Sequence, residues 1–244
     1  MHINTYGIVI KTINIGERDK FLTIITADYG KISVFSKGAN SLKSKLASAS
    51  NLFAYSKFVL FKNNNKYSLN NAELIEIFYN LRNDINKLSL AQYFAELTGV
   101  LAVEDANCME LLNFFLNTLY LLSTKDKNLK LIKSVFELKA LSYSGYMPDL
   151  EGCHHCDKNE NLFFSYKDGY LLCGQCNHTL PKECVLLTKG ILTAIRYILT
   201  AEDGKVFSFT LDEKSLNIMS EIVEKYLLLQ LDHRFSTLDF YSKL

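Results

Sequence analysis

The chain has 244 residues, 48% of them hydrophobic, and a formal net charge of +1. That length supports a sizeable core or two small domains, and the composition excludes a disordered chain. No apolar run is long enough to cross a bilayer, and residues 1–16 lack the basic start, apolar stretch and small-residue cleavage site of a secretory signal, so a cytoplasmic protein is expected.

Charge is unevenly spread. Ten basic and three acidic residues lie within residues 1–66, a local charge of +7, which leaves −6 for the remainder. A basic front part joined to an acidic rear part points to a polyanion facing only the first. This front part reads as β. Residues 5–15 alternate and are β-branched, residues 21–27 and 31–35 flank the turn Asp28-Tyr29-Gly30, and residues 52–61 turn through Asn63-Asn64-Asn65 into 66–69. Five short strands joined by tight turns imply a small barrel or sandwich.

The middle reads as α. Leu88, Ala91, Phe94, Ala95, Thr98 and Leu101 recur at helical spacing within 84–103, and 109–122 is a densely apolar, buried helix. Residues 129–143 form a third helix, stopped by Gly145 and then Pro148. After short pieces around the cysteines, helices return at 188–200, with Thr188 as N-cap, and at 213–229, with an apolar stripe through Leu216, Met219, Ile222, Val223, Tyr226 and Leu227.

Cys153-His154-His155-Cys156 and Cys173-Gly174-Gln175-Cys176 are two C-x₂-C pairs separated by 16 residues. Each pair turns two sulfurs to one side of a tight knuckle, and two knuckles close a tetrahedron around Zn²⁺. A strand, the turn Lys167-Asp168-Gly169 and a second strand return the chain to the metal. Four cysteinates leave no open coordination position, so one structural, non-catalytic zinc ion is expected on Cys153, Cys156, Cys173 and Cys176. His154, His155 and His178 are nearby substitutes, and Cys108 begins a buried helix. A thioredoxin-like redox pair would need a βαβ context that this segment lacks. No Gly-rich phosphate loop, HExxH or GxSxG motif is present, so no enzyme is expected.

The segment from Lys37 to Lys45 (KGANSLKSK) carries three lysines, a glycine, two serines and an asparagine. Such a loop can approach a phosphate backbone with ammonium, hydroxyl and backbone N–H donors. Arg18, Lys20 and Lys31 join Lys37, Lys43 and Lys45 as candidate phosphate contacts, giving affinity with little sequence preference. Phe35, Phe53 and Tyr55 on neighbouring strands are candidates for stacking on unpaired bases. A solvated charged loop and core aromatics are the plainer alternatives.

Several of these residues also carry a resemblance. The run Glu17-Arg18-Asp19-Lys20 through Leu22-Thr23, then Tyr29-Gly30-Lys31 and the Lys37–Lys45 segment, is similar to the front domain of the RecO family of bacterial recombination mediators. So are Phe136-Glu137-Leu138-Lys139-Ala140-Leu141 and Gly145-Tyr146-Met147-Pro148-Asp149-Leu150, leading into the cysteine pairs. Asn40 and Leu42 stand where that family often carries arginines. The resemblance implies an α+β architecture: an oligonucleotide-binding (OB) fold β-barrel over 1–80, then an α-helical domain over 81–244 with a zinc-binding module at about 149–183. It implies binding of single- and double-stranded DNA, annealing of complementary strands, and partnership with RecR and single-stranded-DNA-binding protein during RecA loading. A zinc-stapled DNA-binding regulator and a protein-interaction scaffold are the competing expectations.

Overall fold

The computed structural model describes residues 1–41, 44–64, 66–176 and 183–244. The chain is mixed α+β. Five strands come first: β1 (His2–Ile15), β2 (Asp19–Thr26), β3 (Gly30–Ser36), β4 (Ala54–Asn63) and β5 (Lys66–Ile77). A 3-10 turn at Tyr79–Asn83 leads to α1 (Ile85–Leu101), α2 (Met109–Thr124) and α3 (Leu129–Tyr143). Four short strands follow, β6 (Asp149–Cys153), β7 (Leu162–Ser165), β8 (Tyr170–Cys173) and β9 (Cys184–Leu186), then α4 (Lys189–Thr200), α5 (Glu213–Leu231) and α6 (Ser236–Tyr241).

The first sheet closes on itself. β1 pairs antiparallel with both β2 and β4, β2 with β3, and β4 with β5. The closure is a two-residue parallel seam, Val34 opposite Tyr67 and Phe35 opposite Ser68. Alternation decides which side chains enter: Ile3, Val9, Leu22, Ile24, Val34 and Phe58 fill the interior. The fourth strand starts at Ala54, two residues later than the pattern at 52–61 suggests, because Phe53 sits at φ +64° with its ring buried. The fifth runs on to Ile77, eight residues past the expected end. Beyond Leu69 its apolar alternation fails, since Asn70, Asn71, Glu73 and Leu74 are all exposed, and pairing with β4 alone holds it extended.

Packing divides the chain into two compact units, Met1–Lys125 with Phe235–Leu244, and Asp126–Arg234. The change from strand to helix falls near residue 80, whereas packing groups α1 and α2 with the barrel. The reason lies at the β2–β3 turn. Gly30 adopts φ +60°, and a Cβ there would lie 1.7 Å from the Val103 carbonyl oxygen, so only glycine lets the turn seat under the α1–α2 connection. The backbone N–H groups of Asp105 and Cys108 donate to the Tyr29 and Ala27 carbonyls, and the Lys31 ammonium donates to the Gly99 carbonyl in the last turn of α1. The helix α6, which carries no strong sequence signal, packs on α1, where Glu96 accepts from the Thr237 N–H and hydroxyl.

In the second unit, α3 ends as expected at Gly145, whose φ of +88° allows the Tyr146 N–H to return to the Leu141 carbonyl. The Thr188 and Asp212 side chains cap α4 and α5 by accepting from the N–H groups of Ile191 and Ser215. The strands β6–β9 form a small sheet in the order β6-β8-β7-β9.

Candidate metal centre and nucleic-acid interface

The strand β6 delivers Cys153 to a tight turn in which the N–H groups of Cys156 and Asp157 both donate to the Cys153 carbonyl. The strand β8 delivers Cys173 to an equivalent turn, with the Cys176 N–H donating to the Cys173 carbonyl. The β7–β8 hairpin returns the second knuckle to the first through the predicted Lys167-Asp168-Gly169 turn. As a result the four sulfurs lie within 4.8 Å of one another, with Cys156 3.6 Å from Cys173 and 3.5 Å from Cys176. A tetrahedral ZnS₄ centre with bonds of about 2.3 Å needs sulfur separations of about 3.8 Å, so the donor set fits. These four cysteines are the group that could hold a metal ion among the described residues.

The sulfurs share charge unequally: the Cys153 and Cys173 thiols are lowered, while the hydrogen bonds of Cys176 to the Cys156 and Cys173 sulfurs push its thiol up to about 12. Burial pushes the Cys153 thiol up, but backbone N–H donors from Cys173, His155 and Cys156 outweigh it and hold the thiol down at about 6. The Cys176 N–H, acting against burial, also lowers the Cys173 thiol. His154 does not join the cluster: its ring stacks on Tyr170 at 4.4 Å, with Nδ1 3.7 Å from Asp149. His155 also stands outside it, and His178 lies outside the described residues. Cys184, for which the sequence offered no role, begins β9 opposite Ser165 and belongs to the sheet rather than the cluster.

Helices hold the segment flanking the first knuckle and the β7–β8 turn. The Arg196 guanidinium on α4 donates to the Leu150 carbonyl at 2.7 Å, the Glu151 carbonyl at 2.8 Å and the Asn159 side chain at 3.2 Å. Gln230 on α5 donates to the Tyr166 and Lys167 carbonyls beside the β7–β8 turn. Neither residue stands out in the sequence, because their partners, mostly backbone carbonyls, lie on distant segments.

The basic candidates separate by position. The Gly38 N–H donates to the Asp19 carboxylate at 2.7 Å, the Asn40 N–H to the Arg18 carbonyl at 2.8 Å, and the Asn40 side chain to the Glu17 carbonyl. These bonds pin the start of the basic loop to the β1–β2 turn, so Arg18, Lys20 and Lys37 share one mouth of the barrel. Asn40, which departs from the arginine-rich pattern, is itself the tether. Lys45 is exposed beside Leu46, which packs against the barrel core. Lys31 sits at the other end of β3, its ammonium held by the Gly99 carbonyl. Lys43 lies outside the described residues. Of the stacking candidates, Phe53 is buried and unavailable. Tyr55 is half-buried beside Tyr6, and Phe35 lies 5.4 Å from Phe21, an exposed ring that sequence reasoning passed over.

A closed five-stranded barrel with Arg18, Lys20 and Lys37 beside Glu17 and Asp19 at one end, followed in the chain by helices and a four-cysteine cluster, defines a mixed α+β protein with a candidate metal centre. Residues 1–78 match the family described as recombination protein O N terminal, and residues 82–239 the family described as recombination protein O C terminal. The chain is similar to the DNA repair protein RecO of Acetivibrio thermocellus, with 34% identity covering 100% of this chain and 97% of that one. Similarity to the proteins of the same name from Alkaliphilus metalliredigens (33% identity, covering 100% of each) and Caldanaerobacter subterraneus (31%, covering 99% and 98%) is comparable. The chain belongs to the RecO family. The motif residues that carried the resemblance now have structural duties. Gly30 and Lys31 dock the β2–β3 turn on α1, Glu137 pairs with the buried Lys133 at 2.8 Å, and Lys139 donates to the Leu199 and Ala201 carbonyls at the end of α4. No described helix is long and apolar enough to cross a membrane.

Proposed function

We propose that this protein is a cytoplasmic, non-enzymatic recombination mediator of DNA repair. It binds single- and double-stranded DNA, anneals complementary strands, and helps load RecA together with RecR in the presence of single-stranded-DNA-binding protein. The observation that carries the reading is the gathering of Arg18, Lys20 and Lys37 at one mouth of the barrel by the Gly38–Asp19 and Asn40–Arg18 bonds. The strand order β1-β2-β3-β5-β4 agrees with an OB-fold, whose β2–β3 face and adjoining loops bind oligonucleotides. The family membership supports the same reading.

Annealing asks the protein to make no covalent bond. Two strands repel each other, and a cationic surface lowers that cost as phosphate contacts release condensed counterions. Arg18, Lys20, Lys37, Lys43, Lys45 and, less directly, Lys31 are the proposed phosphate contacts. One structural Zn²⁺ on Cys153, Cys156, Cys173 and Cys176 would cross-link the two knuckles, and the sulfur spacing and the lowered Cys153 and Cys173 thiols support it.

The test is strand annealing across a salt series, with and without single-stranded-DNA-binding protein. K20A/K37A should anneal more slowly, bind DNA more weakly and lower the slope of log affinity against log salt by about 1–2. Wild-type protein that binds no DNA at low ionic strength would defeat the reading.

A further inference from the structure

The outer surface of a strand alternates with the core-facing one, and outward positions are ordinarily polar. On this barrel one outward row is not. Ile13 on β1 stands opposite Phe21 on β2, Phe21 opposite Phe35 on β3, Phe35 opposite Ser68 on β5, and Ser68 opposite Phe61 on β4. His2 at the start of β1 completes the row beside Phe61. The register thus draws apolar side chains from four strands into a band that follows the barrel's circumference. Ile13 is 49% exposed, Phe21 43% and Phe61 41%. The rings are already paired: Phe21 and Phe35 have centroids 5.4 Å apart at 60°, and His2 and Phe61 5.4 Å apart at 62°.

The band borders a groove of about 590 Å³ whose lining includes Phe21, Phe35, Phe61, Ser33, Ser68 and Lys66. Lys66 is the charged side chain among its described lining residues, none of which is a carboxylate. Contiguous apolar surface of this kind is costly to leave in water and marks a binding face. A cationic edge, hydroxyl groups and flat apolar rings together match a strand of nucleobases on a phosphate backbone.

We propose that Phe21, Phe35 and Phe61, extended by Ile13, form a base-stacking track that takes unpaired nucleic-acid strands and rejects duplex. The inference rests on the nucleic-acid reading above and divides its labour. In a duplex the base faces are covered by their neighbours, so a band of rings on the barrel wall cannot reach them, while phosphates stay available. The basic mouth therefore holds either form, and the track holds only strands with free bases. Three strand spacings of about 4.8 Å separate Phe21 from Phe61, roughly 14 Å, room for two or three splayed bases. Lys37 follows Phe35 by two residues, about 7 Å along the strand direction, so one strand can lay its backbone on the mouth and its bases on the track.

The experiment measures binding of wild type, F21A/F61A, F21W/F61W and K20A/K37A to an oligothymidylate and to a blunt duplex of equal length, by fluorescence anisotropy across a salt series. F21A/F61A should lose about tenfold or more in single-strand affinity, keep duplex affinity within about twofold, and show the wild-type salt slope. F21W/F61W should retain single-strand affinity, since indole also stacks. K20A/K37A should weaken both forms. Equal single-strand affinity of F21A/F61A and wild type, or an equal loss on duplex, overturns the track while leaving the nucleic-acid reading intact. Failure of wild type to bind either form would instead overturn that reading.

Discussion

Charged residues in and just before the RecO-family motif of α3 act inside the protein rather than on its surface. Lys133 and Glu137 are both buried and stand one turn apart, with Glu224 of α5 2.7 Å from the Lys133 ammonium. Desolvation lowers the Lys133 ammonium, but the two carboxylates outweigh it, so its proton is held more tightly than usual. Removing one partner would strand a buried charge. K133A should therefore destabilise the protein by about 3–5 kcal/mol, whereas K133M/E137L, which replaces the charges with apolar bulk, should cost clearly less. Chemical denaturation of the two variants checks this. Similar losses in both would show that the ion pair contributes through more than charge compensation.

Among the elements, α4 and α5 govern the cysteine sheet. Arg196 of α4 makes three hydrogen bonds to the residues flanking the first knuckle, and Gln230 of α5 two to the β7–β8 turn. Tyr226 of α5 packs under the same hairpin, where a Cβ at position 169 would come within 3.0 Å of its hydroxyl, and that hydroxyl donates to the Tyr146 carbonyl. The cysteine sheet is thus braced by helices that contain none of the four cysteines. Groups that orient a ligand set typically contribute 10- to 100-fold in metal affinity. R196A is expected to lose about tenfold or more in zinc affinity in competition with a chromophoric chelator, with helix content preserved. R196K should recover part of it, because an ammonium reaches one carbonyl but cannot fork to two. Unaltered affinity in R196A would show that the knuckle holds its own geometry.

For the whole molecule, the two compact units have different means of stability. Met1–Lys125 with Phe235–Leu244 has a barrel core and a helical layer of its own, while Asp126–Arg234 contains the cysteine cluster. Metal removal should act on the second. Chelation should speed amide exchange first in residues 149–176 and then along α4 and α5, leaving β1–β5 protected. Hydrogen exchange followed by mass spectrometry reads this directly, and uniform deprotection of both units would refute a local role for the metal.

What the sequence determined by itself was local. Strand alternation, turn residues at Asp28-Tyr29-Gly30 and Lys167-Asp168-Gly169, the Thr188 cap and the C-x₂-C spacing each act within a few residues, so their signals survive without tertiary information. The basic loop was legible as composition, and the cysteine set as spacing. Tertiary structure decided the rest. Closure of the sheet hangs on a two-residue parallel seam between segments some thirty residues apart. Burial of Phe53 follows from a left-handed turn, and the inward role of Lys133, Glu137 and Lys139 from helices that arrive much later in the chain. The alignment of Phe21, Phe35 and Phe61 is likewise a product of register between strands. A pairing register is a long-range property, fixed only when whole faces are packed together, and no window of neighbouring residues contains it.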